Sequence, residues 1–229
     1  MENLIETTGL CKRYEDFSLE GVNLTVPAGT IVGLIGENGA GKTTTLKALL
    51  GMVHPTQGSA RLLGKAPGDP EALAQVGVVF EDAYFYETMC AEQIDKVMAQ
   101  VYSNWDGLLF REYCHRFELS KKQPLKEFSR GMRMKLSLAT ALAHRPRLLI
   151  LDEATSSIDT RTEIKIGKAF DKLMKGKTSF IIAHRLSTIR ETDIILVMDR
   201  GHIVESGSHD QLLKQGGYYA RLWGSQFES

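Results

Sequence analysis

Residues Gly36-Glu37-Asn38-Gly39-Ala40-Gly41-Lys42-Thr43 follow directly on the apolar run Ile31-Val32-Gly33-Leu34-Ile35, and no other feature constrains the fold as tightly. The run has the length of a buried strand, and the segment beyond Thr43 has helical spacing up to about Leu50. A strand that empties through a glycine-rich turn into a helix, with the spacing G-x-x-x-x-G-K-[ST], is the frame of a phosphate cradle. Glycines let consecutive backbone N–H groups converge on one point, and the helix N-terminus adds positive potential there. In such a cradle Lys42 reaches the β- and γ-phosphates of a nucleoside triphosphate, and the Thr43 hydroxyl ligates Mg²⁺. Gly36, Asn38, Gly39, Ala40, Gly41, Lys42, Thr43 and Thr44 are therefore the expected nucleotide contacts.

Around this loop the pattern is that of an α/β protein. Residues 2–26 alternate in apolar character and predict antiparallel strands, closed by the turn Pro27-Ala28-Gly29. Gly51 and the turn at 55–58 end the helix after the loop. Short strands follow near Ser59–Leu63 and Val76–Phe80. From about Asp82 to Arg145 β-branched residues thin out, and Glu92–Val101 and Trp105–Phe117 carry apolar positions at helical spacing. Continuous apolar strands return at Leu148–Leu151, Thr178–Ala183 and Ile194–Met198, separated by helical stretches, which implies a mostly parallel sheet covered on both faces. Asp199-Arg200-Gly201-His202 reads as a hairpin turn into Ile203–Ser206. The segment from His209 to Phe227 reads as helical with a break at Gly216-Gly217.

With 229 residues the chain can bury one full core. The expected organisation is a single domain. Its nucleotide-binding core and antiparallel β-subdomain come from 1–81 and 146–229, and a helical subdomain is inserted at 82–145. Lys plus Arg equal Asp plus Glu at 28 each, so no bulk charge points to nucleic acid as a partner. The three cysteines (Cys11, Cys90, Cys114) lack metal spacing and read as reduced thiols. The opening residues lack the regions of a signal peptide, and the longest apolar runs fall far short of the ~18 residues that span a bilayer. No asparagine is followed by lysine, so the guanine-reading Asn-Lys-x-Asp of GTPases is absent.

Further motifs stand in the order of the ATP-binding cassette ATPases, which the chain resembles along nearly its whole length. Leu148-Leu149-Ile150-Leu151-Asp152-Glu153 resembles their Walker B strand. The resemblance implies that Asp152 holds Mg²⁺ and that Glu153 orients and deprotonates the attacking water. Phe128-Ser129-Arg130-Gly131-Met132 resembles the signature sequence, in which Ser129, Arg130, Gly131 and Met132 would meet the γ-phosphate bound by a second subunit. A serine there also serves as an ordinary helix cap, and Arg130 and Met132 depart from the usual Gly and Gln. Ser156-Ser157-Ile158-Asp159 resembles the D-loop, with Ser157 and Asp159 communicating across the dimer. His184, in Ile182-Ala183-His184-Arg185-Leu186-Ser187, matches the switch histidine and joins Lys42 and Glu153 as a catalytic group. Tyr14 stands where the family places an aromatic on adenine. Glu81 occupies the place of a usual Gln near the metal.

The fold implied is a P-loop NTPase (RecA-like) core with an N-terminal antiparallel β-subdomain and an inserted helical subdomain. The cofactors implied are ATP and Mg²⁺. The implied partners are a second copy or a related ATPase subunit, closing head to tail over two MgATP, and an integral membrane transporter subunit. The implied location is the cytoplasm, peripheral on the membrane's cytoplasmic face. Residues up to about 148 resemble stand-alone bacterial subunits, and 150–229 resemble the end of exporter half-transporters. A recombined chain that binds nucleotide with little turnover is the alternative expectation.

Overall fold

The computed structural model describes residues 2–80, 85–153 and 176–227. Glu81, Ser157 and Asp159 lie outside the described residues. The chain forms two compact units, one from Met1–Leu73 with Gly176–Ser229 and one from Ala74–Lys175.

In the first unit, β1 (Asn3–Arg13) pairs antiparallel with both β2 (Ser18–Pro27) and β4 (Gln57–Leu62), giving the sheet order β2-β1-β4. Val22, Leu24 and Val26 are buried at every second position of β2, the alternation of a sheet with one covered face. The phosphate-loop strand β3 (Ile31–Ile35) lies parallel between β7 (Thr178–Ala183) and β8 (Ile194–Asp199), and β9 (His202–Gly207) pairs antiparallel on β8. Every residue of β7 and Val32–Ile35 of β3 are buried, as strands covered on both faces require. Leu34 faces Ile182 and Ile35 faces Val197, so these three parallel strands end at one edge. Ligands of open α/β sheets bind at the carboxyl ends of such strands.

Helix α1 (Lys42–Leu49) leaves the loop after β3, and the one-turn α2 (Pro70–Leu73) closes this part of the unit. The second unit holds β5 (Val76–Val79), α3 (Ala91–Val101), α4 (Gly107–Arg116), a 3₁₀ turn (Leu125–Glu127), α5 (Arg130–Ala143) and β6 (Leu148–Glu153). Strands β5 and β6 pair in parallel, and the helices stand between them in sequence. This compact unit is wider than the segment 82–145 and takes in both strands. The cause is packing of β5 on α5: a side chain at Gly77 would strike the Ala141 carbonyl, and His144 Nε2 bonds the Val76 carbonyl at 3.3 Å.

His144 is almost fully buried and stacks on Tyr102 with ring centroids 4.2 Å apart. A carbonyl can only accept, so Nε2 carries the proton in that bond. Burial lowers the His144 pKa, opposed by the carbonyls of Val76 and Thr140. Burial likewise pushes the Cys114 thiol up to about 11, which keeps it protonated and poorly nucleophilic.

Back in the first unit, α6 (Leu186–Ile189) follows β7, and α7 (His209–Gln215) and α8 (Tyr218–Phe227) form the last helical stretch. Gly216, at φ 65°, separates α7 from α8, where the paired glycines predict a break. Parallel strands flanked by helices, an antiparallel three-stranded sheet and helices inserted between β5 and β6 make this a P-loop NTPase fold.

Candidate nucleotide site

The loop between β3 and α1 is shaped by what lies beneath it. A side chain at Gly36 would run into the carbonyl oxygen of Met198, the penultimate residue of β8. Gly41 caps α1 at φ 112°, a backbone conformation that L side chains rarely adopt, and a Cβ there would sit 3.0 Å from both Phe17 and Leu19. The Ala40 carbonyl accepts from the Gly201 N–H at 2.8 Å, which fixes the loop to the turn between β8 and β9.

Lys42 opens helix α1 and is 5 % exposed. Its ammonium donates to the carbonyls of Gly36 at 2.8 Å and Glu37 at 3.0 Å. An ammonium buried to this degree needs such partners, because an unpaired charge there would be costly. The cation is thereby held at the mouth of the loop. Thr45, one turn on, is buried and returns its hydroxyl to the Gly41 carbonyl at 3.0 Å, whereas Thr43 is exposed.

Asn38, Gly39, Ala40, Gly41, Lys42, Thr43 and Thr44 line a cavity of about 400 Å³, with His184 on its wall. Parallel pairing explains the histidine: β7 ends at Ala183 alongside β3, so the next residue emerges at the same edge as the loop. Asp16 and Phe17 complete the lining. Tyr14 does not line this cavity. It is 46 % exposed, in the turn between β1 and β2, with the Lys12 ammonium 5.4 Å from its ring centroid. Its backbone N–H donates to the Phe17 carbonyl at 2.8 Å, and that turn sets Phe17 rather than Tyr14 against Gly41. Phe17, which the residue spacing did not single out, lines the cavity beside Gly41. Phe17, just before β2, and Leu19, within it, both approach Gly41.

In the second unit, Asp152 and Glu153 close β6, and Asp152 is half-buried. Ser129 caps α5, its hydroxyl accepting from the Met132 N–H at 3.2 Å. Ser129 and Arg130 are exposed and Gly131 is buried, so this helix start presents its cap and a guanidinium to solvent. Serine in this role fits a cap as well as an anion site.

The loop suits a polyphosphate: a glycine-shaped turn at a helix N-terminus, a lysine ammonium held in place and a cavity beside it. Thr43 and Asp152 are oxygen donors of the kind a magnesium ion takes. Among the described residues no helix is long and apolar enough to cross a membrane.

The ABC transporter family pattern matches residues 19–156, more than half of the chain. The chain is 37 % identical over 225 residues to a beta-(1→2)glucan export ATP-binding/permease protein of Rhodopseudomonas palustris, covering 92 % of this chain and 37 % of that protein. It is 34 % identical over 227 residues to an ATP-dependent lipid A-core flippase of Wigglesworthia glossinidia brevipalpis, covering 93 % of this chain and 39 % of the flippase. The chain thus spans little more than a third of the length of these relatives. The solved structure of a bacterial Atm1-family ABC exporter with ATP bound superposes with a TM-score of 0.85 at 26 % identity, over 97 % of this chain and 41 % of the exporter. That of an ATP-binding subunit of an ABC transporter gives 0.84 at 24 % identity, over 97 % of this chain and 98 % of the subunit, a likeness of fold. Likeness to exporters therefore runs along nearly the whole chain and is not confined to 150–229. The recombined-chain alternative draws no support from it.

Proposed function

The chain belongs to the ABC transporter family, and from that premise we propose that it binds MgATP at the loop of residues 36–43 and hydrolyses it to drive a membrane transporter. The observation that carries this reading is the single cavity formed by the loop, Lys42 and His184. Loop amides and the Lys42 ammonium would receive the phosphate oxygens, and the aromatic ring of Phe17 offers an apolar face beside them. Thr43 and Asp152 would hold Mg²⁺, whose charge draws electron density from the phosphoryl oxygens when it is bound.

Glu153 is the proposed general base, taking a proton from the attacking water, and His184 the group that steadies the γ-phosphate side. General-base help is typically worth ~10²–10⁴ in rate. Positioning and electrostatics carry most of phosphoryl transfer, so the arrangement of these groups matters more than any one of them.

Ser129, Arg130, Gly131 and Met132 are proposed to complete the site of a second ATPase subunit, a copy of this chain or a relative, in a head-to-tail dimer. Ser157 and Asp159 are proposed to lie along that contact, and Glu81 near the metal. The names of the exporter relatives support a membrane-spanning permease as the further partner, with this domain on the cytoplasmic face. The experiment is MgATP binding and phosphate release measured side by side on the wild type, Lys42→Ala and Glu153→Gln. The reading expects weakened binding in the first variant, and retained binding with strongly reduced turnover in the second.

A further inference from the structure

His184 sits on a short link between two buried anchors. Strand β7 ends at Ala183 and helix α6 begins at Leu186, both fully buried. The far end of α6 is fixed on β3: a side chain at Gly33 would strike Ile189, whose carbonyl accepts from the Thr192 hydroxyl at 2.8 Å. At the near end, Arg185 holds the N-cap position and supplies no side-chain cap. The first N–H of a helix has no partner within that helix. The Leu186 N–H donates instead to Gln226 Oε1 at 3.1 Å, a residue forty positions further along the chain.

Helix α8 delivers this acceptor. The backbone N–H groups of Tyr218 and Tyr219 both donate to the Glu205 carboxylate, the latter at 2.9 Å, which fixes the helix start on β9. Tyr219, Trp223 and Gln226 stand at i, i+4 and i+7, so one face of α8 carries all three. Tyr219 is fully buried, its hydroxyl is 2.8 Å from His209 Nδ1, and its ring lies 6.3 Å from that of Trp223. This face is turned inward, and it brings Gln226 to the start of α6. An N–H can only donate, so the amide oxygen of Gln226 is the atom that meets Leu186.

We propose that Gln226 is a positioning residue for His184: by capping α6 it fixes the link that carries the imidazole to the wall of the phosphate-loop cavity. His184 lines that cavity together with Gly39, Lys42 and Thr43. Only Arg185 separates it from the capped amide, so slack at Leu186 passes directly to the imidazole. Phosphoryl transfer depends on the placement of its groups. A loosened histidine therefore slows the step that follows binding and leaves binding itself intact.

This inference rests on the reading of His184 as the group that steadies the γ-phosphate side, and the test separates the two. Wild type, Gln226→Leu, Gln226→Glu and His184→Ala are compared. Gln226 is exposed, so its substitution spares the core. Gln226→Glu keeps an acceptor oxygen at the same reach, whereas Gln226→Leu keeps only bulk. Without nucleotide, Gln226→Leu should speed amide hydrogen exchange at Leu186 about three- to tenfold, the scale of one hydrogen bond. It should also shift the His184 imidazole resonances, while β7 and α8 exchange as in the wild type. With MgATP, kcat of Gln226→Leu should fall about three- to tenfold on the same scale, with KM little changed. Gln226→Glu should stay within about twofold of wild type in exchange and in kcat, because the hydrogen bond is kept.

Wild-type exchange at Leu186 in Gln226→Leu, with the His184 resonances unmoved, overturns the proposal whatever the kinetics. A loss in Gln226→Glu as large as in Gln226→Leu overturns it as well. So does wild-type kcat in Gln226→Leu when His184→Ala lowers kcat. Wild-type turnover in His184→Ala contradicts the γ-phosphate reading instead, and leaves the Leu186 exchange and the imidazole resonances to decide the role of Gln226.

Discussion

The Lys42 ammonium folds back onto the first residue of its own loop, donating to the Gly36 carbonyl at 2.8 Å. The same contact closes the loop and holds a positive charge beside the cavity that Gly39, Thr43 and His184 line. Lys42→Ala removes both. A charge-assisted hydrogen bond is worth about 1.5–3 kcal/mol, so the MgATP dissociation constant should rise by about one to two orders of magnitude. Calorimetric titration checks this.

Gly36 tests the support under the loop. Its φ is not positive, so the cost of Gly36→Ala comes from a methyl group pressed on the Met198 carbonyl. Overpacking of this kind costs typically about 1–3 kcal/mol, or a fall of several degrees in Tm for a chain of this size. Thermal unfolding checks the stability, and a nucleotide titration of the folded fraction should show weakened binding.

Loop and strands were legible in sequence because their determinants are local. The spacing of Gly36, Gly41 and Lys42 specifies the turn, and the unbroken apolar runs at 178–183 and 194–198 specify buried parallel strands. The supports were not legible. Met198 acts on Gly36 only because β8 pairs beside β3, and Phe17 displaces Tyr14 from the cavity lining only through the turn that joins β1 to β2. Glu205 meets the start of α8 across a sequence gap no periodicity encodes. The grouping of β5 and β6 with the helices follows from the packing of β5 on α5, which strand and helix periods do not report.

His144 supplies a pH dependence. Its pKa is lowered in the fold by burial, while the unfolded chain titrates near ~6.5. Below that value the unfolded chain binds more protons than the folded one, so stability is full above ~6.5 and declines as pH falls through the lowered folded pKa. Urea unfolding between pH 8 and pH 5 should show that decline, and His144→Gln should flatten it.

Ser129 separates capping from chemistry. Loss of its hydroxyl leaves the Met132 N–H without its cap and should cost ~1 kcal/mol of stability in Ser129→Ala. Under the proposed dimeric mechanism, turnover at saturating MgATP should fall well beyond that loss while nucleotide affinity stays near wild type. Circular dichroism melts and phosphate-release rates check the two parts.

Glu153→Gln keeps the size of the side chain and removes the base. Phosphate release should fall by about 10²–10⁴, with MgATP still bound and a stable dimer accumulating in size-exclusion chromatography. Turnover equal to wild type would take Glu153 out of that role.

The most direct measurement is a titration of the folded wild-type chain with MgATP, followed through the backbone amide resonances of residues 36–44. The account predicts saturable shifts concentrated in that loop, with a dissociation constant below ~1 mM, the usual upper range for enzyme substrates, and their loss in Lys42→Ala. Loop resonances that stay unmoved at several times that concentration, in a protein that is otherwise folded, would contradict it.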